Sequence, residues 1–263
     1  MSGLDHIAEA FRGTDGRAAL MPYFTLGYPD AETSLDVVEA ISQAGADLIE
    51  LGVPFSDPLA DGPTIQHSTQ VALEQGTNAE RCLEMVAQFR TRGVTQPLML
   101  MGYVNPILAF GVERFVAQAA EAGADGFIVP DLPPEEATAM EVACQTHRRA
   151  LVHLVAPTSP PQRVARLATR TTGFLYLVSL AGVTGARDTL PPDLEGFVRR
   201  VRDVAHTPLA VGFGISTPEQ ARAVGRVADG VIVGSALIKA AGQGNPPAAA
   251  GAFVRGLREA LEE

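Results

Sequence analysis

Only two cysteines, Cys82 and Cys144, occur in 263 residues. They stand apart, outside any CxxC pair, which argues against a disulfide scaffold and for two thiols in a reducing cytosol. Charged residues are also scarce, at 19%, too polar-poor a composition for a long disordered chain. Basic residues are in deficit, 20 against 30 acidic ones, for a formal net charge of −10. Nucleic acid and anionic membrane both require a basic face that releases counterions, so neither is expected as a partner. No apolar run reaches the ~18 residues of a membrane span. Met1-Ser2-Gly3-Leu4-Asp5-His6 lacks the basic stretch and apolar run of a signal peptide. His6, His67, His147, His153 and His206 form neither HExxH nor a close ligand pair, so no metal is expected. These absences leave a soluble, acidic, cytoplasmic globular protein.

What is present is a regular alternation. Continuous apolar runs suggest eight strands, at Ala18–Phe24, Ala46–Leu51, Pro97–Met101, Gly126–Val129, Ala150–Leu154, Phe174–Val178, Pro208–Gly212 and Gly230–Val233. Runs of this kind fit strands covered on both faces. Amphipathic segments lie between them, at Ala31–Ala44, Val112–Ala122, Pro133–Thr146, Pro160–Ala168, Asp193–Val204, Thr217–Val224 and Ala248–Leu261, with an extra helix between Thr64 and Arg92. Gly45, Gly93, Gly123 and Gly225 sit where a helix would stop through a left-handed residue. Thr217-Pro218 places a cap before a proline at the first helical position. Eight βα units in this length predict an α/β fold, a single (β/α)8 TIM barrel over residues 1–263, with an extra helix after strand 2 and at the termini. An open dinucleotide-binding sheet should carry GxGxxG after its first strand, and Thr25-Leu26-Gly27-Tyr28-Pro29 does not.

Active sites of such barrels lie at the C-terminal ends of the strands. In Ala46-Asp47-Leu48-Ile49-Glu50-Leu51 the period of two puts Leu48 and Glu50 on one face and Ile49 and Leu51 on the other. If the latter pair faces the helices, Glu50 points into the barrel mouth. Desolvation there raises a carboxyl pKa toward the range of a proton-transfer group. A structural glutamate bonded to a neighbouring strand is the alternative. The loop Gly52-Val53-Pro54-Phe55-Ser56-Asp57-Pro58-Leu59-Ala60-Asp61-Gly62-Pro63 is stiffened by proline and carries two more carboxylates, of which Asp61 is a candidate acid–base partner; simple turn chemistry is again the alternative.

A second site is suggested by Gly212-Phe213-Gly214-Ile215-Ser216 and by Gly234-Ser235 opening a helix, after the last two strands. Glycine lets backbone N–H groups approach an anion, and loops after strands seven and eight are the usual phosphate site of these barrels. Ordinary helix caps at Ser216, Thr217 and Ser235 would look similar. Gly182-Val183-Thr184-Gly185 could supply a mobile wall. The residues alone therefore indicate a phosphate-binding barrel with carboxylate acid–base chemistry.

The segment Leu51-Gly52-Val53-Pro54-Phe55-Ser56-Asp57-Pro58-Leu59-Ala60-Asp61-Gly62-Pro63-Thr64-Ile65-Gln66 closely resembles the signature of the tryptophan synthase alpha chain family. Matching stretches follow in family order at Leu26-Gly27-Tyr28-Pro29, Pro130-Asp131-Leu132-Pro133, Gly182-Val183-Thr184-Gly185, Gly212-Phe213-Gly214-Ile215-Ser216 and Gly234-Ser235-Ala236. The resemblance implies a lyase that cleaves indole-3-glycerol phosphate into indole and glyceraldehyde 3-phosphate. It places the catalytic carboxylates on Glu50 and Asp61, and phosphate ligands on Gly185, Gly214, Gly234 and Ser235. Tyr23, Ile65, Tyr176 and Phe213 would line the indole pocket. It also implies a tryptophan synthase beta chain as partner in an alpha2beta2 assembly, with pyridoxal phosphate in the beta chain and no cofactor here. Leu180 departs from the arginine that some members carry before the sixth loop. Another phosphate-binding barrel isomerase would explain the glycine loops but not the Pro-Phe-Ser-Asp-Pro-Leu-Ala-Asp segment, and a non-catalytic regulatory barrel would not need both carboxylates.

Overall fold

The computed structural model describes residues 1–178, 192–212 and 214–263. A helix α1 (Gly3–Arg12) precedes β1 (Ala19–Thr25), α2 (Ala31–Gln43) and β2 (Ile49–Gly52). Two helices, α3 (Pro63–Glu74) and α4 (Ala79–Thr91), lead to β3 (Leu98–Met101), and two more, α5 (Val104–Phe110) and α6 (Val112–Ala122), to β4 (Gly126–Ile128). Next come α7 (Thr138–Thr146), β5 (Ala150–Val152), β6 (Leu154–Val155), α8 (Pro161–Arg170) and β7 (Leu175–Val178). The chain ends with α9 (Leu194–Arg202), β8 (Leu209–Gly212), α10 (Pro218–Gly225), β9 (Gly230–Val233), α11 (Ser235–Ala241) and α12 (Pro246–Glu262). Among the described residues, no helix is long and apolar enough to cross a membrane.

All the strand pairs are parallel, in the order β5-β4-β3-β2-β1-β9-β8-β7-β6. The two ends of that order, β5 and β6, are consecutive in the chain, so the sheet closes on itself as the predicted TIM barrel. The extra helices stand where they are expected, after β2 and at both termini.

Local chemistry accounts for many of the boundaries. Ser2 and Asp5 form a capping box that starts α1, and Thr217 and Gln220 form another at α10. Gly45, Gly93 and Gly123 take the left-handed φ expected after a helix, at 99°, 89° and 103°. Gly225 does not: it is the last residue of α10, and a β-carbon there would stand 2.7 Å from Leu261 Cδ2. Its glycine is required by the close approach of α12 rather than by the turn.

The fifth strand, expected as one run over Ala150–Leu154, is split at His153. The His153 N–H donates to the Thr171 hydroxyl at 3.1 Å rather than to the strand ladder. Its imidazole turns outward to Glu141 on α7, 3.4 Å away, and Arg170 pairs with the same carboxylate. The second strand starts at Ile49 rather than Ala46, because the Asp47 carboxylate is drawn to Arg17 and to the Leu20 N–H. The helix expected from Pro133 starts only at Thr138, after a turn in which Glu136 N–H donates to the Pro133 carbonyl. The apolar segment 105–110, which follows β3, is part of helix α5.

Parallel register partners point to the same side of a sheet. Tyr23, Glu50, Met99, Gly126 and Ala150 are consecutive partners around β1 to β5, and one layer higher Thr25, Gly52, Met101, Ile128 and Val152 follow. A β-carbon on Gly126 would stand 2.6 Å from Met99 Cε and 2.7 Å from Ala150 Cβ, so the first layer is packed side chain against side chain inside the barrel. Glu50 is in that layer.

Candidate active site

Glu50 is completely buried, and among the described residues neither carboxylate oxygen has a hydrogen-bond partner. This lack of a partner counts against the reading of Glu50 as a structural glutamate bonded to a neighbouring strand. A structural glutamate would be bonded to its neighbours, since a buried, unpaired polar group costs about 1–3 kcal/mol. Burial pushes the Glu50 carboxyl up to about 8, so it is protonated at neutral pH.

Of the two carboxylates on the β2–α3 loop, Asp57 is exposed and bonded by the neighbouring Ser56 hydroxyl. Asp61 is turned inward and is 6% exposed. Its backbone N–H donates to the Pro58 carbonyl and its carbonyl accepts from Gln66 Nε2, so the loop folds back on itself at the start of α3. Asp61 Oδ2 accepts a hydrogen bond from the Tyr103 hydroxyl at 2.9 Å. Burial pushes Asp61 up to about 6, and the Tyr103 bond works in the opposite direction by favouring the ionised form. Glu50 and Asp61 are therefore driven apart in pKa by different surroundings, which assigns them opposite protonation states near neutrality.

Tyr23 and Tyr176 close the site from β1 and β7. Both are buried, and both phenols are raised by burial and by the carboxyls of Glu50 and Asp61. The four side chains thus share one electrostatic environment. Tyr23 Oη lies 3.3 Å from Thr25 Oγ1, which is 2.7 Å from Ser68 Oγ; Ser68 in turn donates to the Ile65 carbonyl. This chain of hydroxyls ties Tyr23 to the first turn of α3, where Ile65 is buried at 3% exposure. Two glycines admit the rings: a β-carbon on Gly52 would meet Tyr23, and one on Gly212 would meet Tyr176.

On the other side of β1, Gly214 follows β8 with φ of 94°, a conformation that favours glycine. Gly234 separates β9 from α11, and a β-carbon there would be 3.2 Å from Tyr23 Cδ1. Ser235, 8% exposed, opens α11. Gly214, Gly234 and Ser235 are thus at strand ends facing the same mouth as Tyr23, and neither Gly214–Thr217 nor Gly234–Ser235 contains Lys or Arg. Gly185, Phe213 and Leu180 lie outside the described residues, as does the Gly182–Gly185 segment. Among the described residues there is no group of three or more His, Cys, Asp or Glu placed to hold a metal ion.

Tyr103 was not singled out from the sequence. It lies two residues after β3, at the start of α5, and this position just beyond the C-terminal end of a barrel strand is the signal that could have found it.

The sequence model of the family described as tryptophan synthase alpha chain matches residues 11–254. A tryptophan synthase alpha chain of Chloroflexus aggregans is 52% identical over 237 residues, 89% of each chain. One of Roseiflexus sp. (strain RS-1) is 50% identical over 260 residues, 97% of this chain and all of that one. Among solved structures, tryptophan synthase of Mycobacterium tuberculosis superposes with a TM-score of 0.91 at 38% identity, over 98% of both chains. The alpha subunit of Legionella pneumophila superposes equally well, with a TM-score of 0.91 at 38% identity over 100% of this chain and 99% of that one. With a family model matching residues 11–254 and relatives about half identical over most of its length, the chain belongs to the tryptophan synthase alpha chain family.

Proposed function

We propose that this lyase cleaves indole-3-glycerol phosphate by a retro-aldol reaction in which Glu50 moves the protons and Asp61 holds the indole nitrogen. The observation that carries this reading is Glu50, buried without a partner within β2 and protonated at neutral pH. Glu50 first gives its proton to indole C3, which makes that carbon tetrahedral and leaves positive charge on the ring nitrogen. Asp61, as carboxylate, accepts from the indole N–H and stabilises this charge. Glu50, now ionised, takes the proton of the side-chain hydroxyl next to the ring. The C–C bond breaks, its electron pair restores the indole, and the hydroxyl-bearing carbon becomes the aldehyde of glyceraldehyde 3-phosphate. Glu50 ends protonated, and no cofactor in this chain enters the balance.

In this reading Tyr23, Ile65 and Tyr176 line the indole pocket. The phosphate rests on backbone N–H groups at Gly214, Gly234 and Ser235, where glycine permits close approach. Replacing Glu50 by Gln keeps the shape and removes the transferable proton. Indole release from indole-3-glycerol phosphate should fall by roughly 10²–10⁴-fold, the usual worth of such a group. Indole formation near the wild-type rate would show this mechanism to be wrong.

The reading extends to a partner. Leu59 is 83% exposed beside Asp61, and Leu108 on α5 is 58% exposed on the same end of the barrel. In this reading these exposed apolar side chains belong to a docking surface. The partner is the tryptophan synthase beta chain, carrying pyridoxal phosphate, in an alpha2beta2 assembly in the cytoplasm. Docking there orders the Asp61 loop and speeds cleavage. Adding the beta chain from the same source and following association and cleavage tests this; a chain that neither binds nor accelerates at micromolar concentration acts alone.

A further inference from the structure

We propose that Tyr103 is a positioning residue for this reaction: a post from the turn between β3 and α5 that fixes both the place and the charge of Asp61. The proposal rests on the reading of Asp61 given above. A tyrosine hydroxyl has one proton to donate and lone pairs to accept with, and that of Tyr103 uses both against the same loop. It accepts from the Ala60 N–H at 3.0 Å and donates to Asp61 Oδ2 at 2.9 Å. Backbone and carboxylate of consecutive residues are thus held by a single oxygen atom.

The post is itself braced. Tyr103 is 5% exposed and directly precedes α5. The next residue, Val104, donates its N–H to Asp131 Oδ1 at 2.9 Å, which anchors the base of the ring to the segment after β4. The ring leans on Phe55, from the other arm of the β2–α3 loop, with centroids 5.5 Å apart. Tyr103 therefore holds the loop at both arms: at Phe55 by ring contact, and at Ala60 and Asp61 by hydrogen bonds.

Two consequences follow for the reaction. With Oδ2 bound to Tyr103, Oδ1 is the oxygen left to receive the indole N–H, so the hydroxyl selects the carboxylate face presented to substrate. A hydrogen bond donated to a carboxylate favours its ionised form, the form that must meet the positive ring nitrogen. Loss of the hydroxyl frees the loop and makes Asp61 easier to protonate.

The experiment compares Tyr103→Phe, Asp61→Asn and the double variant. Tyr103→Phe retains the ring and its contact with Phe55, and its urea midpoint without substrate reports whether it folds. We expect kcat/KM for indole-3-glycerol phosphate to fall by on the order of 10²-fold, as for other small misplacements of a reacting group. The acidic limb of its pH profile should move to higher pH. The double variant should be no slower than Asp61→Asn alone, because Tyr103 acts through Asp61. Site-specific 3-fluorotyrosine at position 103, a stronger donor of nearly unchanged shape, should move the acidic limb to lower pH and is informative even if the phenylalanine variant fails to fold. A Tyr103→Phe enzyme with wild-type kcat/KM, an additive double variant, or a fluorotyrosine enzyme with an unmoved limb would each overturn the proposal while leaving Asp61 in its role. Wild-type activity in Asp61→Asn would instead overturn the reading on which the proposal rests.

Discussion

The Tyr23 ring lies in the space that a β-carbon on Gly52 would take: that atom would be 2.5 Å from Tyr23 Cζ and 2.8 Å from Cε2. The two residues are on neighbouring strands, and the ring crosses directly over the glycine, pinned by Thr25 beyond it. Gly52→Ala should therefore displace the ring and destabilise the fold by roughly 1–3 kcal/mol, the usual cost of overpacking. The cost should shrink in a Tyr23→Leu background, where the ring is gone. Urea unfolding of the four proteins of this cycle measures it; equal costs in the two backgrounds would mean that ring and glycine are not coupled.

Glu50 makes stability depend on pH. Its carboxyl titrates near 8 in the fold and at the ordinary 4.5 in the unfolded chain. Between these values the folded protein binds more protons than the unfolded one, so stability falls as pH rises from about 4.5 to about 8. At pH 7 the contribution is on the order of 3 kcal/mol against folding. Glu50→Met should accordingly be more stable than the parent at pH 8, with the difference narrowing steadily toward pH 5. A gap that stays constant across this range would show that Glu50 does not titrate as described.

The same two carboxyls set the activity profile. In the proposed mechanism Asp61 acts ionised and titrates near 6, whereas Glu50 acts protonated and titrates near 8. The pH profile of kcat/KM reports groups of the free enzyme, so it should be a bell with limbs close to those values. Asp61→Asn should flatten the acidic limb of whatever activity remains. A wild-type profile that keeps rising above pH 8 would reverse the proton order assigned to Glu50.

Gly214 holds a φ of 94° that a β-branched residue reaches only with strain. Gly214→Val should raise KM for the phosphorylated substrate at least about tenfold, the equivalent of 1.4 kcal/mol, while the Glu50 limb of the profile stays in place. A ligand-bound structure with the phosphate held mainly by Lys or Arg side chains would refute a backbone site.

Glu50 was legible because one rule sufficed: strand parity sets its face, and a barrel has only an inside and an outside. The glycine ends at Gly214 and Gly234 were legible for a similar reason, since strand order places them. The split at His153 was not, because it depends on a hydroxyl at Thr171 and a carboxylate at Glu141 that only folding brings near. Helix α5, seven residues long, is too short to show a periodicity, and its Asn-Pro sequence resembles a turn. Tyr103 escaped for another reason. Its side chain acts on residues more than forty positions earlier, and no local pattern marks a contact across strands.

Glu50 and Asp61 belong to one βα unit, the strand β2 and the loop behind it, whereas Gly214, Gly234 and Ser235 belong to the units of β8 and β9. On the proposed mechanism, the part that makes and breaks bonds and the part that grips the phosphorylated end are separate stretches of chain, joined by the barrel that carries them. For evolution or for a protein engineer this is a scaffold with interchangeable tooling. Residues 50–62 can be rewritten for another reaction while the grip on phosphorylated compounds is inherited intact.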